Sequence, residues 1–503
     1  MTRPRAAFAG VGVVALLATA SIAPGTAAQA YGPGAQGCVD HSVALSVEES
    51  RLTFTLPENS DPALLQSKPF ARQMIEGAGF QDFTPALVAH LCGARSLKAA
   101  EKVIARDAER LWDMAVDRAQ QHGQVRGTLP HSDDRPLYWT RVEAMAAVRQ
   151  WTPTFPLLSG QRLQLIETFD RTARGMADIN LPAGSGVKRV IVSGFDPYTL
   201  DGGQVGTAPG AAGNNVRHGN PSGATALSLD GTRYRTTDGK TAYIEAYTLP
   251  VSYPEFRRGY LEDTVGPYMM PGPRQVDASI TVSQAVGSEF WLEQWNARYH
   301  GVSAGNDRFR PCPLVSAVPQ LAVNNPECNT MVVDRWGGPS TFDLRDAPQW
   351  TSATLPVASM IAARTGADVP RPPGDEWPDE SVAFGVIWHT NYTEFPDCTS
   401  TARVTRNSPP PVEYPPANPP IPPDAQSCSY SGGGGNYLSN ESAYRNTLLR
   451  DRMGLSISAG HIHTPDMQRF ETAYGPSDPT FDAWRLAIAQ QARNLIQVVS
   501  DEA

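Results

Sequence analysis

Residues 187–198 read VKRVIVSGFDPY and join a hydrophobic strand to a glycine turn. The nearly continuous apolar end of residues 187–193 is typical of a strand in a parallel sheet that is covered on both faces. Similar short apolar runs recur further along the chain, at Ala242–Leu249, Ala278–Ser283 and Val382–His389. Helical patterns lie between and after them, at Tyr253–Asp263, Pro356–Ala363 and Phe481–Val499. The alternation predicts an α/β domain of three layers with a mainly parallel central sheet.

The chain before this segment has a different character, because residues 31–180 show mainly helical patterns. The clearest is Ser96–Gln121, where apolar side chains recur at helical spacing with charged residues between them. Further helical patterns cover residues 63–78, 139–150 and 159–176. The PAGSG stretch at 182–186 is typical of a linker. We therefore predict a helical N-terminal domain at 31–180, followed by the α/β domain at 187–503.

The first thirty residues are predicted to be a cleaved secretory signal, with Tyr31 as the mature start. Arg3 and Arg5 supply positive charge, an apolar run follows from Ala6 to Ala18, and residues 28–30 read AQA, an A-x-A site. A membrane anchor is the alternative, but the run is shorter than the roughly 20 residues that a bilayer span needs. We expect a secreted protein, extracellular or at the cell envelope, with no membrane span after cleavage.

Composition argues against some classes of function and favours disulfides. The formal net charge is -9, so a nucleic-acid binder, which carries a basic patch, is not expected. The chain has six cysteines, and an even number favours disulfides in an exported chain. The alternative is that some of the six are buried free thiols. No pair has C-x-x-C spacing, so we expect neither a zinc site nor a redox motif. Order along the chain suggests three pairs, Cys38–Cys92, Cys312–Cys328 and Cys398–Cys428.

A proline-rich insertion at 405–427 interrupts the α/β domain. Nine of the fifteen residues from Pro409 to Pro423 are proline, which is incompatible with a helix or a central strand. We interpret the segment as an extended surface insertion that acts as a spacer or binds a partner.

Two segments carry side chains suited to a binding site. GFDPY at 194–198 follows a strand directly, and ligands of open α/β sheets bind at this carboxyl edge. Phe195 and Tyr198 are suited to contact a small apolar ring there. Alternatively, they are ordinary hydrophobic side chains that cover the core.

Residues 432–441 read GGGGNYLSNE and lead into a helix. The unpaired N–H groups at the start of this helix favour a nucleophile such as Ser439 and stabilise an oxyanion. A plain helix cap at Ser439 or Asn440 is the alternative.

The histidines of the GHIHTP segment at 460–465 supply a candidate general base. A histidine is the usual activator of a weak hydroxyl nucleophile. We expect His461 and His463 to point to opposite faces of a strand, so that only one of them faces Ser439. A metal pair and a structural histidine are the alternatives, but no carboxylate or cysteine cluster accompanies the two residues.

Seven short motifs, taken in order, resemble those of the pyroglutamyl peptidase I family of cysteine peptidases. They are GFDPY at 194–198, NPSG at 220–223, LPVSY at 249–253, SQAVG at 283–287 for the family's GQAGG, TLPV at 354–357 for STLPV, YLSN at 437–440 for YVCN, and HIHTP at 461–465 for FIHVP. The resemblance covers about 187–470 and leaves the helical region and the proline-rich insertion outside.

The resemblance implies a catalytic triad and a ring-binding pocket. His463 corresponds to the family's catalytic histidine, and Glu293 to the glutamate that orients it, with Glu289 as an alternative. Ser439 stands where the family has its nucleophilic cysteine. The implied substrate-binding residues surround the pyroglutamyl ring and are Phe195, Tyr198, Asn220 and Tyr437. The resemblance implies no metal and no cofactor.

The serine at the nucleophile position determines how we interpret the function. A thiol has an unperturbed pKa of about 8.5 and ionises readily near a helix start, whereas a hydroxyl needs a well-placed base. We expect an omega-peptidase that removes N-terminal pyroglutamate from peptide substrates, with Ser439, His463 and Glu293 as its catalytic residues. The alternatives are a non-catalytic binder of blocked peptides on the same scaffold and a hydrolase of another amide or ester.

Overall fold

The computed structural model describes most of the chain from Gln36 onwards. The described residues are 36–61, 64–124, 126–201, 214–299, 301, 303–311, 347–374, 381–400, 402–467, 470–472 and 474–503. The predicted signal segment, the mature start at Tyr31 and the predicted Cys312–Cys328 pair lie outside these ranges.

Helices dominate the chain before the first strand. They are α1 (Val47–Ser50), α2 (Phe70–Gly77), α3 (Phe83–Gly93), α4 (Leu97–Ala119), α5 (Arg135–Gln150) and α6 (Ser159–Thr172). Helix α4 begins after Ser96, whose side chain accepts the N–H of Ala99 and so caps the first turn. A core of buried aliphatic and aromatic side chains, including Trp112 and Trp139, holds these helices together. The Cys38–Cys92 disulfide ties the segment before α1 to α3, as predicted.

A seven-stranded sheet forms the centre of the α/β part, in the order β2-β3-β1-β4-β12-β5-β8. Its strands are β1 (Val187–Phe195), β2 (Thr232–Arg235), β3 (Thr241–Leu249), β4 (Ala278–Gln284), β5 (Phe290–Glu293), β8 (Val386–His389) and β12 (Ser458–Thr464). Strands β3, β1, β4 and β12 run parallel, and β5 pairs with β8 in parallel but with β12 in antiparallel orientation. Strand β2 adds an antiparallel edge.

Helices cover both faces of this sheet. Side chains of β1 alternate between the two cores that lie beneath these helical layers. Val190 and Val192 lie in the core beneath one helical layer, and Ile191 and Phe195 lie in the core beneath the other. The first layer contains α7 (Pro221–Leu229), α10 (Val357–Ala362) and α12 (Pro479–Glu502). The second contains α8 (Tyr253–Arg257), α9 (Tyr260–Met269) and α11 (Leu438–Arg452). The predicted α/β class, with a helical region before it, is confirmed.

Two small antiparallel sheets flank the main one. Strands β6 (Trp295–Ala297) and β7 (Trp350–Ser352) form one, and β10 (Val404–Arg406), β9 (Tyr392–Phe395) and β11 (Cys428–Ser431) form the other. The proline-rich insertion connects β10 to β11. The predicted Cys398–Cys428 disulfide is present and joins the segment after β9 to the first residue of β11.

The predicted domain boundaries stay predictions. Contacts group the described residues, helical region and sheet together, into one compact unit. Within the described part of the chain, every helix is too short or too polar to cross a membrane.

Candidate active site

The strand order brings the predicted site segments to one edge of the sheet. Strands β1, β4 and β12 are parallel neighbours, so their carboxyl ends at Phe195, Gln284 and Thr464 lie side by side. A cleft of about 980 Å³ opens at this edge. Several predicted site residues line it, namely Tyr198, Tyr437, Ser439 and His463.

Ser439 lies at the second position of helix α11, directly after the N-cap Tyr437 and Leu438. The first N–H groups of a helix have no acceptor within the helix, and they form the positive end of its dipole. Asn440 fixes this helix start against β6, because its side-chain oxygen accepts the N–H of Ala297 at 2.8 Å and its nitrogen donates to the carbonyl of Ala297 at 2.6 Å. Ser439 is half-buried and therefore accessible from the cleft.

Nδ1 of the His463 imidazole lies in close contact with Oε1 of the Glu293 carboxylate, and both side chains are buried. Strand β12 supplies His463, and β5 runs antiparallel beside it. Glu293 does not line the cleft, and its side chain is inaccessible to solvent. Neither oxygen of Glu293 makes a hydrogen bond of regular geometry with the described residues, so the close contact with the His463 imidazole is the main interaction of this carboxylate. The alternative residue, Glu289, lies near Gly385 and not in the cleft lining.

Glycines of the turn before α11 allow the backbone to approach this pair closely. A Cβ at Gly434 would lie 2.7 Å from Oε2 of Glu293, and a Cβ at Gly433 would lie 3.2 Å from Nδ1 of His389. The N–H of Gly433 is fixed by the carbonyl of Trp295 at 2.8 Å. These two positions therefore have little room for a side chain.

The prediction that His461 and His463 point to opposite faces is wrong. Residues two apart on a strand share a face, and the two rings are only 4.7 Å apart. His461 nevertheless lies below the cleft, where its Nδ1 meets the Thr281 hydroxyl at 2.7 Å and its Nε2 meets the Ser283 hydroxyl at 2.8 Å. Burial, with a contribution from His463, lowers the pKa of His461 well below its usual range.

Glu293, His461 and His463 bring potential metal-ligand atoms within 4.8 Å of one another. The donor set suits a metal poorly, since both ring nitrogens of His461 already meet hydroxyl groups and Nδ1 of His463 meets Glu293. These contacts favour a hydrogen-bonded cluster over the metal alternative.

Sequence reasoning missed His389, which lines the cleft at the end of β8. It is paired in register with Glu293 of β5, and its ring stacks on Trp291 with centroids 4.2 Å apart. The pKa of His389 is lowered to about 4, mainly by burial; Glu293 opposes this shift, and His463 adds to it. Its position at the carboxyl end of a predicted strand was the signal that could have identified it.

A small cavity of about 40 Å³ adjoins Ser439 and gathers the predicted ring-binding residues. Its lining includes Phe195, Tyr198, Asn220, Tyr437 and Ser439.

Gln284, the last residue of β4, lines both the cavity and the cleft and was not predicted as a site residue. Its Nε2 donates to the Tyr198 hydroxyl and to Oδ1 of Asp466, both at 2.9 Å. A further hydrogen bond fixes the wall that Tyr437 forms. The Tyr437 hydroxyl donates to the carbonyl of Ala304 at 2.8 Å.

Asn220 lines the cavity, but its amide is largely engaged within the protein. Its Nδ2 donates to the carbonyl of Asp196 at 3.0 Å, and its Oδ1 accepts from the backbone and the hydroxyl of Ser222. The Ser222 hydroxyl in turn accepts the N–H of Phe195 at 3.0 Å. This geometry favours a role in shaping the cavity, and direct contact with a substrate stays a prediction.

Comparison with known proteins identifies relatives along nearly the whole chain. The model of the PA0049 C-terminal domain matches residues 189–468, and that of the PA0049 N-terminal domain matches residues 27–170. The chain is 43% identical to "Uncharacterized protein PA0049" of Pseudomonas aeruginosa PAO1, over 94% of this chain and 92% of the relative.

Solved peptidase structures are similar to this chain at low identity. A mutant pyrrolidone carboxyl peptidase from Pyrococcus furiosus is 15% identical, with a TM-score of 0.33 over 62% of this chain and 99% of that one. Pyroglutamyl peptidase I of Bacillus amyloliquefaciens is 15% identical, with a TM-score of 0.30 over 61% of this chain and 96% of that one. The family matches and the sequence relative together show that this chain belongs to the PA0049 family.

Proposed function

We propose that this protein hydrolyses the amide bond after an N-terminal pyroglutamyl residue, with Ser439 as nucleophile. The observation that carries the proposal is that Ser439, at a helix start, lines the same cleft as His463, whose Nδ1 is held by Glu293. A nucleophile, a base and a group that orients the base are the three parts of a hydrolytic triad.

The proposed reaction uses these three groups. Because Nδ1 of His463 is held by Glu293, Nε2 is the nitrogen left to take the proton as Oγ of Ser439 attacks the carbonyl carbon. The N–H groups at the start of α11 stabilise the oxyanion, and the Glu293 carboxylate stabilises the imidazolium. His463 then protonates the leaving amine, and water releases pyroglutamate from the acyl-enzyme by the reverse proton path.

The small cavity beside Ser439 is the proposed site for the pyroglutamyl ring. Its aromatic walls, Phe195, Tyr198 and Tyr437, suit a flat ring of limited size. A lactam has no free amine, so shape and hydrogen bonds must provide recognition. The larger cleft would take the rest of the peptide. Two disulfides support the proposal that the peptide is processed outside the cytoplasm.

The first test is release of the chromophore from a pyroglutamyl arylamide by the wild-type protein and by Ser439→Ala. We expect Ser439→Ala to lose at least about 10³-fold in kcat while remaining folded, because the nucleophile is gone. Ser228→Ala, on helix α7 away from the cleft, is the matched control and keeps full activity. Equal rates for the wild-type protein and Ser439→Ala would refute the assignment.

A second variant separates a wrong nucleophile from a damaged site. Ser439→Cys places a thiol at the helix start, and we expect measurable turnover that iodoacetamide abolishes. The wild-type activity should resist the same treatment. If the folded wild-type protein binds a pyroglutamyl peptide in a calorimetric titration but releases no product, the binding alternative replaces hydrolysis.

A further inference from the structure

A loop beside the ring cavity, residues 303–309, is fixed to the candidate site by hydrogen bonds. Nδ2 of Asn306 donates to the carbonyl of Pro197 at 2.8 Å, and the carbonyl of Ala304 accepts from the Tyr437 hydroxyl at 2.8 Å. The N–H of Asn306 donates to the carbonyl of Val251 at 2.7 Å. These contacts hold the loop in a set position relative to the cavity wall.

Arg308 of this loop shares the carboxylate of Asp201 with a second arginine. Nε and Nη2 of Arg308 donate to the two oxygens of Asp201, both at 2.9 Å. Arg51, from the helical region, donates to the same oxygens through Nε at 2.9 Å and Nη2 at 2.7 Å. Two guanidinium groups therefore share the carboxylate of Asp201; Glu48 also acts on the charge of Arg51, whereas Asp201 is the carboxylate that acts on Arg308.

This cluster lines the same cleft as Ser439. Its two arginines differ in access, because the side chain of Arg51 is 1% exposed and that of Arg308 is 57% exposed. Asp201 engages Nε and Nη2 of Arg308, which leaves Nη1 for a further acceptor. Arg51 is thus the buried partner of Asp201, while Arg308 presents its guanidinium group to whatever occupies the cleft.

We infer that the cleft selects peptides that carry a carboxylate shortly after the pyroglutamyl residue, with Arg308 as the group that meets it. The inference rests on the proposed function and specifies its substrate class. Nη1 of Arg308 is placed to donate a charge-assisted hydrogen bond to such a carboxylate. Such a carboxylate comes from the C-terminus of a short peptide or from an acidic side chain, and both sources present the same chemistry.

Two matched pairs of substrates test the inference, with released pyroglutamate as the readout. Pyroglutamyl-alanine is compared with its C-terminal amide, and pyroglutamyl-aspartate amide is compared with pyroglutamyl-asparagine amide. We expect kcat/KM to be about three- to tenfold higher for the acidic member of at least one pair, and to decline with added salt. The pair that shows the preference identifies the source of the carboxylate.

Arg308→Gln should bring the ratio of acidic to neutral substrate close to one. Arg233→Gln, an exposed arginine on the edge strand β2, is the matched control and should keep the wild-type ratio. Equal kcat/KM values within both pairs, or a preference that survives Arg308→Gln, would overturn this inference and leave the peptidase activity standing. A folded protein that hydrolyses none of the four substrates would overturn the proposed function together with it.

Discussion

Nη2 of Arg141, on helix α5, lies 2.7 Å from Oδ2 of Asp196, the residue that follows Phe195 at the end of β1. Arg174 donates to the same oxygen at 2.7 Å, and Asp170 pairs with both arginines. All four charged side chains are at most 6% exposed. A buried carboxylate is costly unless it is paired, so the helical region stabilises the segment that forms one wall of the ring cavity.

Arg141→Met tests this support. We expect the free energy of unfolding to fall by about 3 kcal/mol, because removing one partner leaves buried carboxylate charge less well paired. We also expect KM for a pyroglutamyl arylamide to rise more than kcat falls, since Asp196 adjoins Phe195 and not the pair of His463 with Glu293. Urea unfolding and steady-state kinetics measure the two effects.

Arg95→Met is the matched control, because Arg95 is an exposed arginine of the same helical region. Its effect on unfolding should stay within about 0.5 kcal/mol, as for most surface changes. An Arg141→Met protein with unchanged stability and unchanged KM would show that the helical region does not support the cavity.

Gly434→Ala tests the close approach of the glycine turn to the contact between Glu293 and His463. The new methyl group would lie 2.7 Å from Oε2 of Glu293 and 3.3 Å from the N–H nitrogen of Asn440, so the carboxylate must move. We expect kcat to fall by roughly 10- to 100-fold, because small displacements of catalytic groups have effects of that size. Overpacking should also lower the free energy of unfolding by about 1–3 kcal/mol. Kinetics and urea unfolding of the same samples provide both values.

Gly160→Ala is the control for this variant. A Cβ at Gly160, in the first turn of α6, would meet nothing within 4 Å. The change should leave kcat unaltered and, because alanine is the better helix former, add up to about 1 kcal/mol of stability. Wild-type kcat in Gly434→Ala would mean that the position of Glu293 does not limit catalysis.

Local sequence predicts the central strands well because burial on both faces leaves a strong signal. Predicted bounds of 187–193, 242–249 and 278–283 compare with Val187–Phe195, Thr241–Leu249 and Ala278–Gln284 in the structure. Strands β5, β6 and β7 span only three or four residues each and depend on pairing with distant segments. Short strands of that kind carry no periodicity of their own.

Two helices show how proline affects the prediction of helix bounds from the sequence. Within the pattern at 63–78, helix α2 begins at Phe70, directly after Pro69, because proline biases the residue before it away from helical geometry. Helix α3 was not predicted, although its buried residues recur at helical spacing and Pro85 lies in the first turn, where it is tolerated.

Sequence motifs identified the cleft residues, but the contacts between them needed the fold. Ser439 and His463 were predicted from their motifs, and they line one cleft. His389 becomes a neighbour of Glu293 only through the pairing of β5 with β8, which joins segments about a hundred residues apart. His461 lies outside the cleft lining, where its ring nitrogens contact the hydroxyl groups of Thr281 and Ser283. The position of these hydroxyl groups depends on the register of β4 with β12.

The lowered pKa of His389 makes stability depend on pH in a direction that can be worked out. The unfolded chain protonates this histidine below about pH 6.5, whereas burial keeps it neutral in the folded protein down to about pH 4. Between these values the unfolded state binds more protons, so the free energy of unfolding falls as the pH decreases. The groups that face the ring are Glu293 of β5, which favours its protonation, and His463 of β12, which opposes it.

His389→Phe removes this titration while keeping an aromatic ring against Trp291. At pH 7 the titration of His389 contributes little to the difference between the two proteins, since this histidine is neutral in the folded state and mostly neutral in the unfolded state. Between pH 7 and pH 4 the variant should gain about 3 kcal/mol relative to the wild-type protein, which corresponds to 1.36 kcal/mol per pKa unit. Urea unfolding of both proteins across this range measures the difference, in which the other titrating groups largely cancel. Parallel stability curves would show that His389 gains its proton as easily in the folded protein as in the unfolded chain, and that the Trp291 side of the cleft is open to water.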